Sequence, residues 1–501
     1  MDLLRGNLRS IYFKYLGAAF GSALISSIYT LVDMAMVGQY QGPSGTAALA
    51  VMAPIWNLIF SLGLLTGIGG SVLFSAARGA GEQERSNEFF SVALWSSVAL
   101  SAAAWIVVLL WEVPMLRLFG GSEELLPLAQ EYLVPIKFVI PLFPLNQMLA
   151  AFLRNDGSPA LATGAVLAGG IFNIFGDFVF VFPMDMGIFG AGLATAIGAA
   201  ITFVVMLTHF FSKRNTLRLV RPSQPWTKLR QVLVSGFSTF LSDVAMGILT
   251  MLFNRQIMAY LGTDALAVYG VIVSVSTFVQ CCAYSVGQAA QPILSVNFGA
   301  GQGMRIRKAL NYSLWSAAFF GLAWTGLTMA VPNLFIRIFM SPTNAILSIA
   351  PAIIRCYALS FLLLPFNIFS TYYFQALLKP AVSFLISISR GIVVSGALIC
   401  LLPLAAADAI WFAMPITEAA VAAAAVTSVH TPRLSPLCCR RRGSAFHYAR
   451  LLENHARRQS DHIIGNGSRA ARSARPRRGR NHGPPAPERR ASGVCTLRFT
   501  L

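Results

Sequence analysis

Twelve long apolar stretches constrain this chain more than anything else in it. They run at about 14–37, 46–76, 89–113, 126–152, 158–182, 188–211, 231–261, 264–297, 308–331, 345–376, 380–404 and 408–429. A helix needs about 20 apolar residues to cross the hydrocarbon of a bilayer. Within lipid every backbone N–H and C=O must find its partner inside the protein, and runs of this length satisfy that as helices. The fold class is therefore an all-α polytopic membrane protein. Of the 501 residues, 56% are hydrophobic and only 11% charged, which excludes a soluble domain built round one core.

The formal charge of +19 is unevenly held. Residues 430–501 carry 16 Arg, no Lys and three acids (Glu453, Asp461, Glu488), while 1–429 are close to balanced. Within the body, basic residues recur at alternate connections. Arg5, Arg9 and Lys14 precede the first stretch and lead straight into it, as an uncleaved anchor would. Arg78 and Arg85 follow the second. Lys213, Arg214, Arg218, Arg221, Lys228 and Arg230 fill 212–230 without an acid, and Arg305, Arg307 and Lys308 follow the eighth. The positive-inside rule then predicts a multi-pass protein of the cell (cytoplasmic) membrane with both termini cytoplasmic.

The chain repeats itself. Gly45-Thr-Ala-Ala-Leu-Ala-Val51 returns as Gly262-Thr-Asp-Ala-Leu-Ala-Val268, and Gly79-Ala-Gly81 returns as Gly299-Ala-Gly301. Pro144, Asn146 and Pro159 return as Pro365, Asn367 and Pro380. Six spans is an even number, so the halves keep one orientation about an axis along the membrane normal, with a substrate route between them. The predicted layout is a six-helix lobe at 1–211, a basic cytoplasmic linker at 212–230, a second six-helix lobe at 231–429, and an Arg-rich tail at 430–501. The tail reads as disordered, and its Arg without Lys resembles a GC-rich stretch translated in a shifted frame.

Polar residues inside apolar helices mark function, because an ionisable group in the bilayer costs about 2.5 to 3.5 kcal/mol on insertion scales. Asn173 and Asp177 lie four residues apart in span five, on one helix face. Asp33, about five residues inside the outer end of span one, and Thr195 in span six fall at similar depth. Two carboxylates with an amide and a hydroxyl form a hard, oxygen-only set that suits sodium or a shared proton. Helix-to-helix hydrogen bonding is the competing role for the same residues. In the second half, Gln280, Tyr284, Gln288 and Gln291 form one polar stripe along span eight, fitting either the wall of a wet cleft or a packing seam. Asp243 near the middle of span seven is a candidate partner for a cationic substrate or a second coupling site. The cleft is expected between spans one, two, seven and eight. Lys137, Arg355, Arg390 and Glu418 read as structural or snorkelling residues, and the Tyr372–Phe374 aromatic run as drug-facing or lipid-facing.

Leu31-Val-Asp-Met-Ala-Met-Val-Gly38, Asn173-x-x-x-Asp177 and Gly187-Ile-Phe-Gly-Ala-Gly-Leu-Ala-Thr195 resemble the multidrug and toxic compound extrusion (MATE) transporters. Gly287-Gln-Ala-Ala-Gln-Pro-Ile-Leu-Ser-Val-Asn-Phe-Gly-Ala300 resembles their DNA-damage-inducible F-type branch. The resemblance covers roughly residues 10–425. It implies two six-helix lobes around a central cleft, with organic cations or other drugs exported in exchange for sodium ions or protons. It also implies that the coupling cation sits at Asp33, Asn173, Asp177 and Thr195. The chain departs from the family at Gly17-Ala-Ala-Phe20 and Gly236-Phe-Ser-Thr239, where the usual proline early in the first helix of each lobe is missing.

No phosphate-binding loop, zinc-ligand spacing or nucleophile-base pair is present, so no enzyme and no bound cofactor are expected, and energy must come from an ion gradient. Seven Cys in no framework spacing argue against structural disulfides. The expected partners are small molecules, chiefly organic cations, and membrane lipids, with no specific nucleic acid, and the expected state is a monomer. The alternative function is a lipid-linked sugar flippase of related two-lobe build, which calls for several Arg and Lys in its cleft.

Overall fold

A computed structural model of the protein describes residues 2–339 and 343–430. The Arg-rich tail beyond that point, with its expected disorder, lies outside the described residues. Span one is Leu8–Gly42 and span two Ser44–Gly79, followed by Gln83–Leu118 as span three. Spans five and six are Pro159–Val181 and Gly187–Phe211, and spans seven and eight are Pro225–Tyr260 and Gly262–Gly299. Asn344–Ala376, Pro380–Ala405 and Ala407–Ser428 form spans ten to twelve. These ten helices are each long and apolar enough to cross a membrane. Span nine, Gly303–Ala330, reaches that standard together with the short helix Pro332–Phe339, which leaves it at 82°.

Span four is not one helix. It consists of Leu126–Ile136 and Leu142–Asn155, separated by turns. Pro135 ends the first piece and Pro141 caps the second, and each lacks the N–H that a continuous helix requires. Spans one and two meet at Gly42, whose φ of 69° only glycine adopts without strain. Span one is otherwise uninterrupted, in keeping with its missing proline. It also runs five residues beyond the expected end at 37, so Asp33 lies about 13 Å from the helix end rather than nearer the surface.

The internal repeat is visible as repeated bonding. The Asn146 side chain donates to the Ala199 carbonyl at 3.0 Å, and Asn367 donates to the Glu418 carbonyl at 2.8 Å. Pro159 and Pro380 each open a helix, where a missing N–H costs nothing.

The two lobes are joined tightly at the end carrying the basic connections. A Cβ on Gly79 would sit 1.9 Å from the Val296 carbonyl oxygen, and one on Gly299 would sit 1.9 Å from that of Ala76. Those four positions are repeat partners, so the contact is pseudo-twofold. Further in, a Cβ on Gly236 would meet the Leu65 carbonyl oxygen at 1.8 Å. Apolar burial does not hold helices together in lipid, so such close backbone approach and interhelical hydrogen bonds do. The bonds are here as well. Ser75 donates to Asn155 (2.6 Å), Asn155 to Gln291 (3.3 Å) and Gln291 to Ser71 (3.3 Å), all buried. Arg305 of the second lobe donates to the carbonyls of Leu3 and Gly6, both at 3.1 Å, pinning the chain start.

The linker lies along span three. The backbone N–H groups of Arg218, Val220 and Ser223 donate to Asn87, Ser91 and Glu88, and Lys228 pairs with Glu88 at 2.7 Å. Beside it, the buried Asp156 carboxylate ties three segments together. Its Oδ1 accepts from Arg78 (2.5 Å) and the Thr216 hydroxyl, and its Oδ2 accepts from the Thr216 N–H (3.0 Å) and meets His209 at 2.7 Å. Burial alone would push this carboxyl up, but the bonds from His209 and Thr216 and the Arg78 charge together hold it below the usual range.

Of the two expectations for Arg390 and Glu418, the structural role agrees with the fold and the snorkelling one is corrected. Arg390 and Glu418 do not snorkel to the surface. They form a buried ion pair at 2.8 Å, and Asn367 donates to the second Glu418 oxygen at 2.6 Å. The reason is local: a π-helical turn at Ser389–Val393 turns Arg390 inward, onto span twelve.

Candidate cation and substrate site

The residues picked out in the first lobe form one connected set. Span five carries Asn173 and Asp177 on its buried face, one turn apart. The Asn173 amide donates to Asp177 Oδ1 at 3.4 Å and to Thr195 Oγ1 of span six at 3.1 Å. From Thr195 the set continues to the Tyr132 hydroxyl at 3.5 Å, and that hydroxyl donates to Asp33 Oδ2 at 3.0 Å. Asp33 thus reaches Asp177 through three neutral side chains, and the two carboxylates lie within reach of one another's charge.

Each carboxylate keeps one oxygen free. Asp33 Oδ1, Asp177 Oδ2 and Asn173 Oδ1 are buried and have no hydrogen-bond partner. Orphaned buried acceptors are uncommon, and leaving them dry is costly. Three of them in one set, with two carboxylates among them, fit a hard monovalent cation or one or two protons. The donor set is oxygen alone. Among the described residues no group of three or more His, Cys, Asp or Glu is placed to hold a metal ion, so nothing here is built for zinc or another transition metal.

Next to this set a cavity of about 360 Å³ lies between the lobes. Asn173 and Thr195 line it, so they belong to both the polar set and the cavity wall. Four of the five second-lobe candidates, Asp243, Gln280, Tyr284 and Gln288, line it too, and Tyr284 donates to Asp243 Oδ1 at 3.2 Å. Gln291 does not: it belongs to the buried seam described above, so the span-eight stripe is part cleft wall and part seam. The cavity also reaches beyond spans one, two, seven and eight, because Asn146, Thr202 and Tyr372 bring in spans four, six and ten. Tyr372 is therefore not lipid-facing.

Sequence reasoning missed two residues. Tyr132 is a lone aromatic in an apolar run, with no spacing to mark it. Arg154 sits two residues before a loop acid and reads as a surface charge, although it is 9% exposed and lines the cavity. Its repeat partner Gln375, polar between the apolar Tyr372–Phe374 and Ala376–Leu378, was the available signal.

Two lobes of membrane-crossing helices, a cavity between them and buried acids beside it are the build of a membrane transporter. The chain belongs to the MatE family, whose model matches residues 18–179 and 237–402. It is 25% identical over 280 residues to the multidrug export protein MepA of Staphylococcus saprophyticus, an alignment covering 55% of this chain and 61% of that one. To the MepA of Staphylococcus aureus it is 22% identical over 414 residues, 82% of this chain and 91% of the relative. Its fold matches that of a multidrug resistance MATE family transporter of the MOP superfamily in an outward-facing conformation. The TM-score is 0.81 at 21% identity, covering 87% of this chain and 98% of that one.

Proposed function

We propose that the chain exports drugs, chiefly organic cations, across the cell membrane in exchange for sodium ions or protons, with both termini cytoplasmic. The three orphaned oxygens of Asp33, Asn173 and Asp177 carry this reading. Two buried carboxylates repel one another unless a cation or proton compensates them. Asn173 and Thr195 touch both that set and the cavity, so occupation of the one is felt by the other. The lobes, joined at the basic end, then represent the state open to the outside. In it the cation enters the acidic set and releases substrate from the cavity. Rocking of the lobes parts Gly79 from Val296 and Gly299 from Ala76 and opens the cavity to the cytoplasm, where the cation leaves and substrate binds.

Several further points support the same reading. Relatives bearing the name multidrug export protein align over most of the chain. Arg154 is the one Arg or Lys among the described residues that line the cavity, which is few for a flippase of anionic lipid-linked sugars. One chain supplies both lobes and the whole cavity, so a monomer suffices. The test is uptake into proteoliposomes holding the full chain, with sodium and proton gradients imposed separately against a panel of fluorescent organic cations. Exchange driven by one gradient is expected; transport indifferent to both contradicts the proposal.

A further inference from the structure

We infer that Arg154, with Tyr372 beside it, forms an anion-accepting site in the cavity wall, so that this chain selects molecules carrying a carboxylate as well as a cationic group. The inference rests on the efflux reading only in placing substrate in the cavity. Arg154 is nine-tenths buried, yet its side chain makes no hydrogen bond or ion pair among the described residues, and its Nε is an orphaned buried donor. Only its backbone is engaged, accepting from the Tyr15 hydroxyl at 2.9 Å. A guanidinium stays charged and offers five donors, and burying it unpaired is expensive.

The acids nearby do not relieve it. Asp156, two residues on, is committed to Arg78, His209 and Thr216. Asp243 lies in the wall of the same cavity, but its bond is to Tyr284. The Tyr372 hydroxyl is a second buried polar group in that wall. It lies near Asp243, Gln288 and Arg154, and no partner meets it in full hydrogen-bond geometry. Two unfulfilled donors facing one space suit the paired oxygens of a carboxylate, which a guanidinium grips in bidentate fashion.

The cavity thus carries one positive residue in its wall, Arg154 of the first lobe, and one negative residue, Asp243 of the second. A purely cationic molecule leaves Arg154 unpaired, and a purely anionic one faces Asp243 with nothing to offer it. A zwitterion of drug size satisfies both, and about 360 Å³ is room of that order.

The test compares rhodamine B, a xanthylium cation with a free benzoate, with its ethyl ester, which keeps the cation and loses the anion. Fluorescence polarisation with the purified full chain should find the acid bound about tenfold more tightly than the ester. In Arg154→Gln that ratio should fall to about one, and Arg154→Lys should restore part of it. Tyr372→Phe, which removes a hydroxyl that bonds nothing in the protein, should reduce the ratio about threefold and serves if Arg154→Gln does not fold. Asp243→Asn should weaken both dyes alike and leave the ratio standing. An unaltered ratio in Arg154→Gln, or no preference for the acid in the parent, overturns the inference while gradient-driven ester export leaves the efflux reading intact. Failure of the parent to bind or export either dye overturns both.

Discussion

Tyr132 and Asp33 are 99 residues apart in the chain and are joined by a hydrogen bond of 3.0 Å, the phenol donating to Asp33 Oδ2. The same oxygen of Tyr132 lies 3.5 Å from Thr195. One phenol therefore fixes the orientation of an acid from span one against the set held by spans five and six.

Tyr132→Phe keeps the ring and removes only this link. A hydrogen bond to a charged group is worth about 1.5 to 3 kcal/mol. The variant should fold, with Asp33 less well oriented. The cation concentration giving half-maximal exchange should rise about tenfold, and the maximal rate should change less. Cation-dependence curves in proteoliposomes measure this, and a curve superimposable on the parent's would leave Tyr132 a packing residue.

The seam at the basic end yields to a single methyl group. Gly299→Ala places a Cβ against the Ala76 carbonyl, whereas a Cβ on Gly270, in the same span, meets nothing within 4 Å. Alanine is the better helix former by about 1 kcal/mol, so propensity favours both changes. Gly270→Ala should be neutral or mildly stabilising. Gly299→Ala should separate the lobes at this end and raise the reactivity of a cysteine introduced at Ser71 towards a water-soluble thiol reagent, in a background lacking Cys281 and Cys282. Equal labelling in the two variants would argue that the seam does not close the cytoplasmic side.

Asp156 links spans two, four and six to the linker through Arg78, His209 and Thr216. Asp156→Asn breaks a buried charge cluster and should cost about 3 kcal/mol of stability. The sign of its pH dependence follows from a carboxyl held below its usual range. The contribution is fully present above the ordinary carboxylate pKa of about 4 and is lost as pH falls through the lower folded value. Thermal unfolding of parent and variant should therefore differ most near neutrality and converge on acidification below pH of about 4. A gap that widens in acid would mean that the cluster does not hold Asp156 ionised.

The Arg390–Glu418 pair gives a different pattern. Glu418→Gln strands a buried guanidinium and should cost about 3 to 5 kcal/mol, while replacing both residues by Met should cost much less. Unfolding midpoints of the two variants decide this. Equal losses would show that the pair contributes packing more than charge compensation.

The long helices were legible because lipid forces long apolar runs to be helical, and the lobes because Gly79 and Gly299 or Asn146 and Asn367 recur at nearly constant spacing. Asn173 and Asp177 were legible because an amide and an acid one turn apart are costly in such a run. What escaped was whatever depends on a partner far along the chain. Tyr132 acquires meaning only from Asp33. Arg154 reads as a loop charge until the fold buries it, and Gln291 looks like its stripe neighbours until Asn155 and Ser71 claim it. The break in span four was signalled by Pro135 and Pro141, but apolar length concealed it. The π-helical turn at Ser389–Val393 leaves no mark in the residues themselves.

The most direct measurement is gradient-driven export by Asp177→Asn. The amide preserves size and hydrogen-bonding capacity but removes the charge, so the variant should insert and fold at least as well as the parent. Substrate should still bind in the cavity, since Asp177 does not line it. Export driven by the sodium or proton gradient should fall close to background, and Thr195→Ala should only weaken the apparent cation affinity. Parent-level export by a well-folded Asp177→Asn protein, under either gradient, would contradict cation coupling at Asp177 and reduce the set to hydrogen bonding between helices.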